Sequence, residues 1–278
     1  MRGVAAHATA LSGEVLERDA GPTPGLWMWH ESVAPDGPDV IVWFHGGAYV
    51  SGQPDQIRAM GTALSAATGA RVFAPAYRLA PEHPAPAALD DAVAAYRAVL
   101  ALAAPEHLVV GGDSAGGGVA LAALLALRDL GDPLPAGAVT FSAWTDLALT
   151  GDSLETRKEF FFGSSEPFMR RCADAYLGAA DPFDPRVSPL YGDWRGMPPL
   201  HVQVGDHDPL LADSTRLAER ARGAGVAVDL VVWPEMPHVH QGLAGVAPEA
   251  DEAVDRAAAF IRARLATVAT GRADVGHV

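Results

Sequence analysis

Ser114 stands between two glycines in the run Gly112-Asp113-Ser114-Ala115-Gly116, where an apolar, strand-like stretch meets a helix-like stretch rich in Ala and Leu. A serine at such a junction occupies a tight turn, and the flanking glycines let strand and helix pass without Cβ clashes. Its hydroxyl is held above the strand ends, beside the unpaired N–H groups and positive dipole end of the new helix, where developing negative charge is favoured. That is the pattern of a nucleophile elbow. Gly151-Asp152-Ser153 shares three letters with it but continues Leu154-Glu155 and follows no apolar strand, so it carries little weight.

Serine is a weak nucleophile unless a base and an orienting acid act on it. Two later stretches supply both: Gly205-Asp206-His207-Asp208-Pro209-Leu210 after a strand ending at Val204, and Pro234-Glu235-Met236-Pro237-His238-Val239-His240 after a strand ending at Trp233. Asp206, Asp208 and Asp213 compete for the acid, and His238 and His240 for the base. The order Ser, Asp, His is that of α/β-hydrolases and differs from the two common serine-protease orders. His45-Gly46-Gly47-Ala48-Tyr49 follows another strand and offers backbone N–H groups to an oxyanion, each worth roughly 3–4 kcal/mol when well aimed. The same Asp and His residues could ligate a metal. That reading leaves the elbow unexplained, so neither a metal nor a cofactor is expected.

These points need a scaffold that delivers each of them to a strand end. Short strands are expected at Glu14 to Arg18 and Gly25 to His30, with Trp27 and Trp29 packing on opposite faces of an edge strand. From the nearly continuous apolar run Val40 to Phe44 onward, strands and helices alternate. Helices are expected over Pro54 to Thr68, Ala85 to Leu102, Gly117 to Leu130, Ala212 to Arg222 and Pro248 to Leu265; strands at Arg71 to Ala74, Leu108 to Gly111, Ala136 to Phe141, Pro199 to Val204 and Val226 to Trp233. The alternation implies a mostly parallel α/β sheet of about eight strands with helices on both faces, whose function gathers at the strands' carboxyl ends. Residues 150–195 break the rhythm with Phe160, Phe161, Phe162, Phe168 and Tyr176 and no clear strand, which reads as a small cap inserted into a single domain spanning 1–278.

A chain of 278 residues, 49% hydrophobic, can bury one large core. The formal charge of −14, with no basic stripe, argues against a nucleic-acid partner. One cysteine, Cys172, expected half-buried, suits a reducing compartment, and no segment reaches the roughly 18 apolar residues of a membrane span. A cytoplasmic protein without a membrane or nucleic-acid partner is the expectation.

Taken together, His45-Gly46-Gly47-Ala48, Tyr77-Arg78-Leu79-Ala80-Pro81-Glu82, Gly112-Asp113-Ser114-Ala115-Gly116-Gly117, Ser142-Ala143-Trp144-Thr145-Asp146-Leu147, Ser188-Pro189-Leu190, Asp208-Pro209-Leu210 and Met236-Pro237-His238 cover most of the chain. The sequence resembles the bacterial hormone-sensitive-lipase-like branch of the α/β-hydrolases, a group of esterases that includes lactone hydrolases and acetyl-hydrolases. The resemblance implies a Ser114, Asp208, His238 triad and an acyl-enzyme. It also implies an oxyanion hole from the Gly46, Gly47, Ala48 segment with Ala115, and structural roles for His45, Glu82 and Asp113. A substrate pocket is expected around Tyr49, Trp144, Phe161 and Phe168. Ala48 stands where many relatives carry a third glycine, and N-terminal cap helices are expected to be largely absent. The substrate expected is a small ester, with lactone opening or deacetylation as the alternative and a non-catalytic binding protein as the remote one. Homodimerisation is common among relatives.

Overall fold

The computed structural model describes residues 14–18, 24–157 and 166–271. Among them, eight strands form one sheet: β1 (Glu14–Arg18), β2 (Gly25–His30), β3 (Val40–Phe44), β4 (Arg71–Pro75), β5 (Leu108–Asp113), β6 (Gly137–Phe141), β7 (Leu200–Gly205) and β8 (Val228–Trp233), in the order β1-β2-β4-β3-β5-β6-β7-β8. β1 and β2 pair antiparallel, as do β2 and β4, and every pair from β4 through β8 is parallel. The helices are α1 (Arg58–Thr68), α2 (Ala87–Leu100), α3 (Ala115–Leu130), α4 (Ser153–Thr156), α5 (Glu166–Leu177), α6 (Leu211–Gly223) and α7 (Pro248–Gly271).

Strand periodicity divides the core between two faces. In β3, Val40, Val42 and Phe44 join the cluster that holds Leu89, Val119, Leu124 and Leu217 of α2, α3 and α6. Ile41 and Trp43 point the other way, into the cluster with Met60, Leu64, Val254 and Ile261 of α1 and α7. Side chains two apart on a strand share a face, and this corrects the expectation for Trp27 and Trp29: both lie in the first cluster, where Trp27 stacks on Phe73 at 4.8 Å, and β2 is interior because β1 covers its edge. Along β3, β5, β6 and β7 every residue is buried, which accounts for their mostly apolar sequences, although β7 also buries His201 and Gln203, which meet at 2.8 Å; β8, paired on one side only, alternates.

Helix ends follow local chemistry. α1 and α3 stop at Gly69 and Gly131, both left-handed. α3 begins at Ser114, so the turn after β5 is also the start of a helix buried along most of its length.

Within 150–195 the described residues hold α4, α5 and a 3₁₀ turn at Pro189–Tyr191, and no strand. One face of α5 belongs to the main core: Met169, Cys172, Ala173 and Tyr176 are buried, and Tyr176 stacks on Tyr49 at 4.2 Å. Cys172 is thus buried rather than half-buried. Phe160, Phe161 and Phe162 lie outside the described residues, as do residues 1–13. No helix among the described residues is long and apolar enough to cross a membrane.

Candidate active site

β5 ends under Ser114, whose backbone sits at φ 52°, ψ −123°. Such a conformation costs on the order of 1–3 kcal/mol and persists only where the surroundings enforce it. Here Ser114 N–H donates to the Phe141 carbonyl at 2.9 Å and Trp144 N–H donates to the Ser114 carbonyl at 2.9 Å, tying the elbow to the end of β6. A Cβ on Gly116 would lie 2.1 Å from the Phe44 carbonyl oxygen, so only glycine lets α3 start against β3.

The loop after β7 carries Asp208 and the loop after β8 carries His238. They interlock: Asp206 N–H donates to the Trp233 carbonyl at 2.9 Å, and Glu235 N–H donates to Asp206 Oδ1 at 2.6 Å. A Cβ on Gly205 would sit 1.9 Å from the Met236 carbonyl oxygen, so the two loops meet at a glycine. His238 Nε2 comes within 3.0 Å of Ser114 Oγ, and Nδ1 lies 3.0 and 3.1 Å from the two oxygens of fully buried Asp208. With the proton on Nδ1, the ring donates to Asp208 and accepts from the Ser114 hydroxyl.

The competing residues have other partners. Asp206 accepts the Glu235 amide. Asp213 is buried and accepts the amides of Thr145 and Asp146 at 2.7 and 2.9 Å; burial, with the charge of Asp146 nearby, pushes its carboxyl up to about 7. His240 packs edge-on against Trp233, and burial pushes its ring down to about 4. Burial also lowers His238, but the charge and hydrogen bond of Asp208, joined by the charge of Asp113, outweigh it and hold the ring above its usual value.

Beside Ser114 lies the loop after β3, shaped by buried residues. His45 Nδ1 meets the Gly46 carbonyl at 2.7 Å, its ring stacks on Tyr77 at 4.5 Å, and the Tyr77 hydroxyl donates to the His45 carbonyl at 2.6 Å. Gly46 differs from expectation. Its N–H donates to Asp113 Oδ2 at 3.0 Å, so it is not free for an oxyanion; Asp113 Oδ1 takes Trp43 Nε1 at 3.0 Å. The amides of Gly47, Ala48 and Ala115 carry no such bond among the described residues. Ala48 and Tyr49 adopt left-handed φ of 55° and 65°, so the loop reaches its turned shape with alanine where relatives carry glycine. Glu82, expected to brace a loop, is exposed.

A cavity of about 390 Å³ opens over these groups, with Gly46, Gly47, Ala48, Ser114 and His238 in its lining. Trp144 and Phe168 also line it, as expected. Tyr49 does not: it is buried, and its hydroxyl donates to the Trp144 carbonyl at 2.7 Å, so it supports the pocket wall from behind. Phe161 lies outside the described residues. Ile57, Met60, Met169, Leu210 and Gly242 complete much of the wall; Leu210 lies in the Asp208-Pro209-Leu210 motif, whereas Ile57, Met60 and Met169 reach the cavity through long-range packing that no local pattern announces. Two further supports were equally hidden. Ser142 Oγ accepts the Val239 amide at 3.1 Å, and Ser153 Oγ donates to the Pro209 carbonyl at 2.6 Å while accepting the Ala212 amide at 2.9 Å. No cluster of His, Cys, Asp or Glu arranged for a metal occurs among the described residues.

Residues 41–242 match the model of a family described as having the alpha/beta hydrolase fold. An acetyl-hydrolase of Streptomyces hygroscopicus is 45% identical over 237 residues, covering 84% of this chain and 78% of that protein. A crystal structure of an esterase from the bacterial hormone-sensitive lipase family superposes with a TM-score of 0.87 at 40% identity, over 93% of this chain and 89% of the other. The esterase EstE5, soaked with p-nitrophenyl butyrate, matches with a TM-score of 0.87 at 37% identity, over 91% of this chain and 86% of that one. With its sheet order, its serine at the elbow and these relatives, the chain belongs to the α/β-hydrolase family, in the bacterial hormone-sensitive-lipase branch, and is a carboxylic ester hydrolase.

Proposed function

We propose that Ser114 is the nucleophile, His238 the base and Asp208 the acid that orients it, and that the amides of Gly47, Ala48 and Ala115 hold the oxyanion. What carries this reading is the continuous contact from Asp208 through His238 to Ser114 Oγ, at 3.0 Å on each side of the ring. As Ser114 Oγ bonds to the ester carbonyl carbon, its proton passes to His238 Nε2 and the carbonyl oxygen takes up the negative charge. Collapse of the tetrahedral intermediate expels the alcohol, which takes that proton from the ring. Water then attacks the acyl-Ser114 ester with the same base, releasing the acid and restoring the hydroxyl.

The substrate class in this reading is a small neutral ester with a short acyl group. The cavity of about 390 Å³ is near the lower end of small-molecule sites, roughly 300–1,000 Å³, and among the described residues no Lys or Arg lines it to hold an anion. An acetyl ester is favoured by the resemblance to a protein named acetyl-hydrolase. Residues 150–195 act as the cap, supported by Phe168 and Met169 at the cavity. A cytoplasmic location belongs to the same reading, on the strength of a single buried cysteine. Hydrolysis of p-nitrophenyl acetate by wild type and Ser114→Ala tests the assignment: the variant should lose at least roughly 10³-fold in kcat, and full activity in it would refute the role of Ser114.

A further inference from the structure

The cavity straddles the carboxyl edge of the sheet, so its two apolar walls come from opposite faces. Trp144 and Met169 belong to the cluster on one face, and Ile57 and Met60 to the cluster on the other. Gly242 joins the second wall: its 3₁₀ turn, His240–Leu243, is followed by Ala244, which packs in the same cluster as Ile57 and Met60. An ester carbonyl held at Ser114 has two arms leaving in opposite directions, and two walls are available to receive them.

The three glycines in the lining are not equivalent. A Cβ on Gly46 would lie 2.4 Å from Asp113 Oδ2, the carboxylate its own amide bonds, and one on Gly47, at φ 128°, would lie 2.0 Å from the Ser51 carbonyl oxygen, so the local structure requires both. A Cβ on Gly242 would meet nothing within 4 Å, and its φ is not in the left-handed region. Nothing in the packing of the described residues calls for glycine at this point. The space its missing side chain leaves is therefore open to a ligand.

Which arm enters that space follows from the proton path. The leaving oxygen must face His238 Nε2 to collect its proton, and the chain past His238 runs directly through Val239 to Gly242, both in the lining. We infer that the wall of Ile57, Met60 and Gly242 receives the alcohol arm of the ester, and that Gly242 sets how bulky that alcohol can be. This rests on the assignment of Ser114 and His238 above, and extends it to leaving-group selectivity.

Gly242→Phe and the smaller Gly242→Leu test it, measured on two series: methyl to hexyl acetate, which lengthens only the alcohol, and methyl acetate to methyl hexanoate, which lengthens only the acyl group. The expected result is a fall of about tenfold or more in kcat/KM for hexyl acetate relative to methyl acetate, the scale on which an apolar site rejects surplus bulk. The fall should be greater for Phe than for Leu, and the methyl hexanoate to methyl acetate ratio should stay at the wild-type value. An unchanged alcohol series in both folded variants, or a loss confined to the acyl series, overturns the inference. Thermal unfolding and Ser114 labelling by a small fluorophosphonate identify a folded, reactive variant. The parent reading fails separately, if Ser114→Ala still hydrolyses methyl acetate.

Discussion

Two opposed influences act on the His238 ring. Burial favours the neutral form, while the Asp208 carboxylate bonded to Nδ1 and the more remote Asp113 favour the imidazolium, and the charges win. Because the neutral ring takes the Ser114 proton, kcat/KM should rise with pH through a midpoint above the ordinary 6.5 of histidine. Asp208→Asn removes the larger of the two charges and the fixed tautomer. We expect kcat to fall on the order of 10³–10⁴-fold, and the midpoint of the residual activity to move down, since the largest charge opposing burial is gone. A pH profile whose midpoint stays in place in the variant would assign the raised ring to something other than Asp208. At this scale the sequence was informative about residue types and silent about which polar atoms were already engaged. The Gly46 amide belongs to the oxyanion-hole motif, yet Asp113, 67 positions away, occupies it. Asp206, Asp208 and Asp213 each accept a backbone amide, and only folding shows that Asp208 is the one that meets the His238 ring.

Element ends were legible because Gly and Pro punctuate them: α1 and α3 end at glycines, and α7 begins at Pro248. Binary patterning also revealed the strands covered on both faces. What stayed hidden is how elements distant in sequence brace one another, and Ser153 is the clearest case. Its sequence neighbourhood is an imperfect copy of the elbow, but its hydroxyl, at the start of α4, bridges the Pro209 carbonyl and the Ala212 amide and so clamps the turn that follows Asp208. The neighbouring Arg157 Nε donates to the Asp206 carbonyl at 2.6 Å, so the first described part of the cap grips the acid loop at two points. Ser153→Ala strands a buried carbonyl and a buried amide at a cost of about 1–3 kcal/mol. It should lower the unfolding midpoint and reduce kcat several-fold, more than it raises KM, because the turn it clamps carries Asp208 while the other walls of the cavity keep their shape. Unfolding and steady-state kinetics on the same preparation check this, and a change confined to KM would contradict it. Tyr49 shows the same limit on sequence reading: its place beside the glycine loop suggested a pocket residue, whereas its stacking on Tyr176 puts it inside the core.

Across the whole molecule, the loop after β6 and the start of α6 are joined by a buried acidic pair with one cation. Asp146 accepts the Thr150 hydroxyl, Arg216 Nη1, the Thr150 amide and the Tyr191 hydroxyl, and these contacts overcome burial to keep its carboxyl below the ordinary value. Asp213, facing that charge from a buried site, is held up at about 7. A carboxyl whose folded value exceeds its unfolded value near 3.8 binds its proton more tightly in the native state. The stability this provides is fully present below about pH 4 and is lost as pH rises through the folded value of about 7. Asn at this position can accept the Thr145 and Asp146 amides through its carbonyl oxygen, and it has no proton to lose. The unfolding midpoint of Asp213→Asn minus that of wild type should therefore grow more positive from pH 5 to pH 8, by roughly 2–4 °C for each kcal/mol of linkage. Paired thermal scans at the two pH values measure it, and a difference that stays constant would mean that Asp213 titrates alike in the folded and unfolded chain. Because the pair fastens the Trp144 wall to the helix that starts just past Asp208, loss of that linkage at high pH bears on the same structure that holds the triad together.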